Sequence, residues 1–248
     1  MTDKGSSEMP PQGVGPAEDL VPAALALARR FAAGATLWCV APQWPAHARH
    51  VAVEFVHPVI VGTRTFPAVS LDGPAAAESL RLLSRPGDLL LCVSTADDPL
   101  ARDIIIRADA WGLTTVWLGA GARPGQDGRD ARADHVVWLP AADPALAARS
   151  GELVVLSHLL CELTHVVFEH PGLLRGKPEP TGDTCVTCSD EGRVAEVCAV
   201  LAKGRVEVLA RGHAEQIDGR LVEALQPGDL VLVHAGVAVA TLPAGRGR

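Results

Sequence analysis

The stretch from Arg85 to Pro99, RPGDLLLCVSTADDP, decides the fold. A Pro-Gly turn leads into the strand DLLLCVS from Asp88, and a helical stretch follows from about Leu100 to Trp111. A strand that is apolar at successive positions, followed by a helix, belongs to a parallel sheet covered on both faces.

The same alternation extends in both directions. Upstream, Leu20, Ala24, Leu27 and Phe31 recur at helical spacing between Ala17 and about Ala33, and Gly34 stops that helix before the strand ATLWCV. Downstream, TTVWLG from Thr114 and HVVWL from His135 read as further strands, with a helical stretch at Pro74 to Leu83. A long helix, Glu152 to Phe168, closes the series before His170-Pro171. The expectation is a three-layer α/β domain with a parallel sheet over 17–170, preceded by a tail over 1–16 that lacks periodicity.

A linker, PGLLRGKPEPTGDT, follows over 171–183, and beyond it the pattern changes. RVAEVCAVLAKGRVEVLARGHAEQ reads as two β runs around a Lys203-Gly204 turn, and PGDLVLVHAGVAVATL gives two more around Ala235-Gly236. The second domain, 184–248, is therefore expected to be a small OB-like β barrel of about five strands.

With 248 residues and 48% hydrophobic content, the chain can bury a sizeable core. Its net charge of -7 gives no electrostatic footprint for nucleic acid or an anionic membrane. No basic, apolar leader opens the chain and no segment has the length of a bilayer span, so a cytoplasmic location is expected. Cys39, Cys92 and Cys161 sit in apolar runs, where a reduced thiol acts as a small hydrophobe, in keeping with a reducing compartment.

In an open α/β sheet, ligands bind beyond the carboxyl ends of the strands, which directs attention to two loops. The segment Cys39 to Phe55, CVAPQWPAHARHVAVEF, resembles the first loop and helix of SIS-type sugar-phosphate isomerases, notably the sedoheptulose-7-phosphate isomerase branch, with His50, Glu54 and Phe55 matching. RPGDLLLCVSTADDP resembles the second strand and Ser/Thr phosphate loop of that family, FPAVSL at Phe66 its next strand, and LSHLLCEL at Leu156 its late helix. The resemblance implies a residual metal site of His50, Glu54 and His158, with Ser150 where the family has Gln and Glu152 as a spare ligand. It also implies a vestigial phosphate loop carrying Ser94 and Thr95. Val40 to Trp44 replace the family's loop glycines, and Asp97 and Asp98 stand where small hydroxyl or amide groups are usual. Carboxylates there repel phosphate, so the expectation is no sugar-phosphate turnover and no enzyme.

GDTCVTCSDEGRVAEV together with GDLVLVHAGVA resembles the HypC/HupF chaperones of hydrogenase assembly. That resemblance implies an accessory chaperone in nickel-iron hydrogenase maturation. Cys185, with Cys188 as second thiol and His234 nearby, would carry iron bearing cyanide and carbonyl ligands. The implied partners are a HypD-type assembly protein and the hydrogenase large subunit precursor, with a homodimer formed through the SIS-like domain and its late helix. Two alternatives stand beside it. One is a metal-assisted SIS-type sugar-phosphate isomerase using His50, Glu54 and His158. The other is a zinc-binding thiol module, in which Cys198 and His213 would join the Cys pair.

Overall fold

The computed structural model describes residues 16–58, 64–124, 133–174 and 192–242. Five parallel strands form a sheet in the order β2-β1-β3-β4-β5, where β1 is Leu37–Val40, β2 Ala68–Leu71, β3 Leu89–Ser94, β4 Thr114–Ala120 and β5 His135–Leu139. The apolar run that decided the fold lies at its centre: every residue of β3 and β4 is buried. The edge strand β2 is half-exposed along its length, which is why it was the least legible of the five.

Helices cover both faces. On one face lie α1 (Pro16–Ala32), α2 (Pro45–Val56) and α6 (Glu152–Glu169), with the short α5 (Pro144–Arg149) and α7 (Pro171–Leu174) beside α6. Their shared core is built on Leu27, Phe31, Phe55, Phe66 and Leu160, with the Phe31 and Phe66 rings stacked 4.3 Å apart. The other face holds α3 (Ala76–Leu83) and α4 (Pro99–Ala110) over Leu90, Ile104, Ile105, Trp117 and Trp138. Each buried side chain of this size contributes about 1.5–3 kcal/mol. Two buried acids pin the layers: Asp88 accepts from the Thr36 and Arg85 amides and the Trp38 indole, while Asp19 pairs bidentately with Arg123 and accepts from the Trp138 amide.

The C-terminal strands β6 (Arg193–Val200), β7 (Arg205–Ala210), β8 (His213–Asp218), β9 (Leu230–His234) and β10 (Val237–Leu242) close into a barrel in the order β10-β8-β7-β6-β9. All pairings are antiparallel except β8 with β10. The run expected as one strand after Lys203-Gly204 is in fact two. Arg211 and Gly212, at φ 47° and 79°, turn the chain between β7 and β8, a hairpin geometry that requires positive φ at both central residues.

The barrel sits on the α3/α4 side of the sheet. Glu196 of β6, only 3% exposed, accepts a hydrogen bond from the Trp111 indole at the C-cap of α4 and faces Arg81 at 3.3 Å and Arg107 at 3.7 Å. Arg107 also donates to the Gly228 carbonyl at 3.0 Å. Backbone meets backbone beside this network: the Gly212 amide donates to the Ala110 carbonyl, and a Cβ on Gly112 would lie 2.8 Å from the Arg211 carbonyl oxygen. Among the described residues, no helix is long and apolar enough to cross a membrane.

Candidate functional site

The α2 helix starts with Pro45, whose fixed φ and missing N–H suit the first helical position. The i, i+4 spacing of His50 and Glu54 then puts both on one face, and α6 brings His158 across from them. His50 Nε2 and His158 Nε2 lie 2.8 Å apart, and a Glu54 carboxylate oxygen is 3.4 Å from His158 Nε2 and 4.0 Å from His50 Nε2. All three side chains are partly buried, Glu54 the most deeply. Among the described residues this is the one group of three His, Cys, Asp or Glu side chains close enough to share a metal ion.

The electrostatics suit a ligand set. Partial burial lowers the His50 pKa below its ordinary value, with the neighbouring imidazoles of His158 and His47 acting in the same direction and Glu54 opposing them. A neutral imidazole has a lone pair to give, and two Nε2 atoms facing each other at hydrogen-bond distance already share one proton between two lone pairs. Replacing that proton with a divalent cation needs the nitrogens to part by about half an ångström, since zinc-nitrogen bonds run about 2.0–2.1 Å in tetrahedral geometry. The residues present therefore fit a metal. Glu152, expected as a spare ligand, is not part of the cluster. Sequence reasoning overlooked His47, one turn before His50 on α2, whose Nε2 is held by the Ala148 carbonyl at 3.1 Å.

The loops beyond β1 and β3 meet at the same end of the sheet, joined by a hydrogen bond of 3.2 Å from the Thr95 hydroxyl to the Gln43 side-chain oxygen. Ser94 is placed differently from its expected role in a phosphate loop. It is fully buried, and its hydroxyl accepts from the Trp117 indole at 2.8 Å. Asp98 caps α4, one carboxylate oxygen accepting from the Leu100 and Ala101 amides.

The barrel residues are less concentrated. Cys185 and Cys188 lie outside the described residues. His234, read as part of an apolar run, is exposed at the end of β9 opposite Val237. Cys198 is half-buried at an irregularity in the β6–β7 pairing, with its thiol pointing at the Glu196 carbonyl, and His213 is exposed at the start of β8.

No family model and no curated protein matches the chain. Among solved structures it is similar to a phosphoheptose isomerase from Neisseria gonorrhoeae, at 18% identity and a TM-score of 0.50, covering 60% of this chain and 86% of that one. The N-terminal part has a SIS-like fold. A phosphoheptose isomerase from Francisella tularensis is matched at 18% identity and a TM-score of 0.49, covering 61% of this chain and 89% of that one.

Two expectations are corrected by this comparison. The hydrogenase-chaperone reading has no support: no HypC/HupF likeness is found, and the structure resembled at a TM-score of 0.50 is a phosphoheptose isomerase. The expectation that the chain is not an enzyme loses its support on the same finding, the matched structure from Neisseria gonorrhoeae being that of a phosphoheptose isomerase. One of the two segments behind that resemblance, Leu230 to Ala238, forms a hairpin between β9 and β10 with Ala235 and Gly236 at positive φ.

Proposed function

We propose that the chain is a metal-assisted isomerase of the SIS type, interconverting the aldose and ketose forms of a sugar. The observation that carries this reading is the facing pair His50 and His158, with Glu54 beside them, on the two helices that line one side of a SIS-like sheet. Aldose-ketose conversion moves a proton between two adjacent carbons while the carbonyl migrates the other way, so it needs a base within reach and an electrophile on the carbonyl oxygen. A divalent cation held by His50, Glu54 and His158 supplies the electrophile when bound. With both Nε2 atoms on the cation, the Glu54 carboxylate oxygen that the cation leaves free would be the proton acceptor, and the Cys161 thiol fixes the Glu54 backbone by hydrogen bonding to its carbonyl.

Three structural readings accompany this one. The barrel is OB-like, supported by its meander of three strands closed through the parallel β8–β10 pair. The boundary between the two domains falls in 171–183, where the sequence turns Pro- and Gly-rich. Copies of the chain pair through α6, supported by the exposed Val155, Leu159 and Val166. Free, buried Cys39, Cys92 and Cys161 favour the cytoplasm as its location.

The test is to incubate the full chain with zinc, manganese or magnesium and a panel of free and phosphorylated aldoses, following ketose formation. Turnover that chelation abolishes and that His158→Ala removes is expected. A chain that binds no divalent cation at the cluster and converts no sugar would refute the reading.

A further inference from the structure

His50 and Glu54 ride on α2 and His158 on α6, so the gap between the two imidazoles is set by how the second helix is held against the first. Apolar packing leaves that register loose. The shared core contains the small side chains of Ala48 and Ala52 from α2 and of Ala147 and Ala148 from α5, and hydrophobic attraction between them is non-directional. Gly151, the N-cap of α6 at φ 88°, has open space where a side chain would stand, so no wall steadies the turn from that side.

A polar tie flanks the cluster on each side. After it, the Cys161 thiol reaches the Glu54 carbonyl at 3.6 Å, and a thiol is a weak donor. Before it, one turn ahead of His50, His47 Nε2 meets the Ala148 carbonyl at 3.1 Å. A carbonyl only accepts, so His47 carries its proton on Nε2 and its tautomer is fixed. The acceptor lies in the last turn of α5, where carbonyls run out of partners within the helix. The Leu146 carbonyl takes the Ser150 amide, the Ala147 carbonyl takes the Ser150 hydroxyl, and the Ala148 carbonyl takes His47. Ala148 stands three residues before Gly151, so a hold on it is a hold on the start of the helix that carries His158. His47 is not one of the three side chains whose ligand atoms converge.

We infer that His47 is a positioning residue for the metal cluster: by donating from Nε2 to the Ala148 carbonyl it ties the start of α6 to α2 and holds His158 opposite His50 before an ion arrives. The inference rests on the metal-assisted reading and adds to it the residue that sets the geometry of its site. Losing a hydrogen bond that orients metal ligands without touching the ion weakens binding by about 10–100-fold.

Three variants of the full chain test it. His47→Leu and His47→Ala remove the donor, and His47→Gln keeps an N–H donor on a flexible arm. Calorimetry reads zinc affinity, and the visible absorption of cobalt(II) reads the geometry around the bound ion. The two donor-free variants are expected to bind zinc about tenfold or more weakly with an altered cobalt spectrum, and the Gln variant to stay within about threefold of the unaltered chain with its spectrum unchanged. Leu fills the space that the imidazole leaves and Ala empties it, so the one whose metal-free urea midpoint stays nearer that of the unaltered chain decides. A folded donor-free variant that binds zinc as tightly as the unaltered chain would overturn the inference. So would a Gln variant as weak as the Leu variant with an altered cobalt spectrum, the result expected if His47 ligated the ion itself. Either outcome leaves the isomerase reading standing. An unaltered chain that takes up neither zinc nor cobalt would remove the metal-assisted reading and this inference with it.

Discussion

Glu196, the fourth residue of β6, receives the indole N–H of Trp111, which ends α4; a barrel strand and a helix of the α/β layer are thus joined through one buried carboxylate. Arg81 and Arg107 converge on the same group, so the acid neutralises part of two guanidinium charges where water is scarce. Glu196→Ala leaves the indole without its acceptor and removes one of the anions facing Arg107, which keeps Asp103 and the Gly228 carbonyl. The expected loss is about 3 kcal/mol, the lower end for breaking a buried pair, because Arg81 remains partly solvated. Urea denaturation of the full chain measures it, and a change below about 1 kcal/mol would mean the seam is held by packing alone.

Metal binding should depend on both imidazoles. His50→Ala and His158→Ala are each expected to weaken zinc at least tenfold in calorimetry, while Glu152→Ala, outside the cluster, changes nothing. A metal at a hundred times its Kd should also stabilise the fold by about 2.7 kcal/mol, a gain that chelation reverses.

The same site gives a pH dependence with a definite sign. Burial depresses the His50 pKa below 6.5, so in the fold protons compete for its lone pair only at a lower pH than they do in a free imidazole. The His50 share of zinc affinity should be fully present above pH 6.5 and be lost as the pH falls through the depressed value. Affinity measured from pH 8 down to pH 5 tests this. A decline that begins well above 6.5 contradicts it.

Gly119 closes β4 where the Ser94 carbonyl oxygen and the Trp138 ring leave no room for a side chain. The ring can tilt, but the carbonyl belongs to the neighbouring strand and cannot. Gly119→Ala is expected to cost about 3 kcal/mol, the upper end for overpacking, read as a lower urea midpoint.

The Cys161 thiol is 5% exposed and pushed up to about 12 by burial, with the charges of Glu54 and Glu162 adding to the effect. Cys39 and Cys92 are raised still further by burial. At pH 8 none of the three holds appreciable thiolate, so iodoacetamide followed by peptide mapping should label them only after denaturation. Labelling of Cys161 in the native chain would show that α6 opens away from α2.

Legibility followed burial. The central strands β3 and β4 are buried on both faces, and their continuous apolar runs announced a parallel sheet; α6 was equally plain from its length and its stop at His170-Pro171. The pairing of His50, Glu54 and His158 came through resemblance, since periodicity alone places the first two on one face and says nothing of a helix a hundred residues away. What stayed hidden depended on contacts between distant segments. Glu196 reads as an ordinary charge in an alternating strand, and only the docking of β6 on α4 makes it a buried acid. The Arg211-Gly212 hairpin was passed over because β8, HAEQID, is too polar to look like a strand until the barrel closes around Ile217.

Gly112 follows Trp111 at the end of α4 and Gly212 sits at the tip of the β7–β8 hairpin, both in left-handed conformations, with main chain against main chain between them. A side chain at either position is refused twice, once by its own dihedral and once by its neighbour across the join. Chains descended from the same fusion of barrel and sheet should therefore carry a Trp-Gly pair in the first half and an Arg-Gly or Asn-Gly pair in the second, a two-part signature for finding them where overall identity has faded.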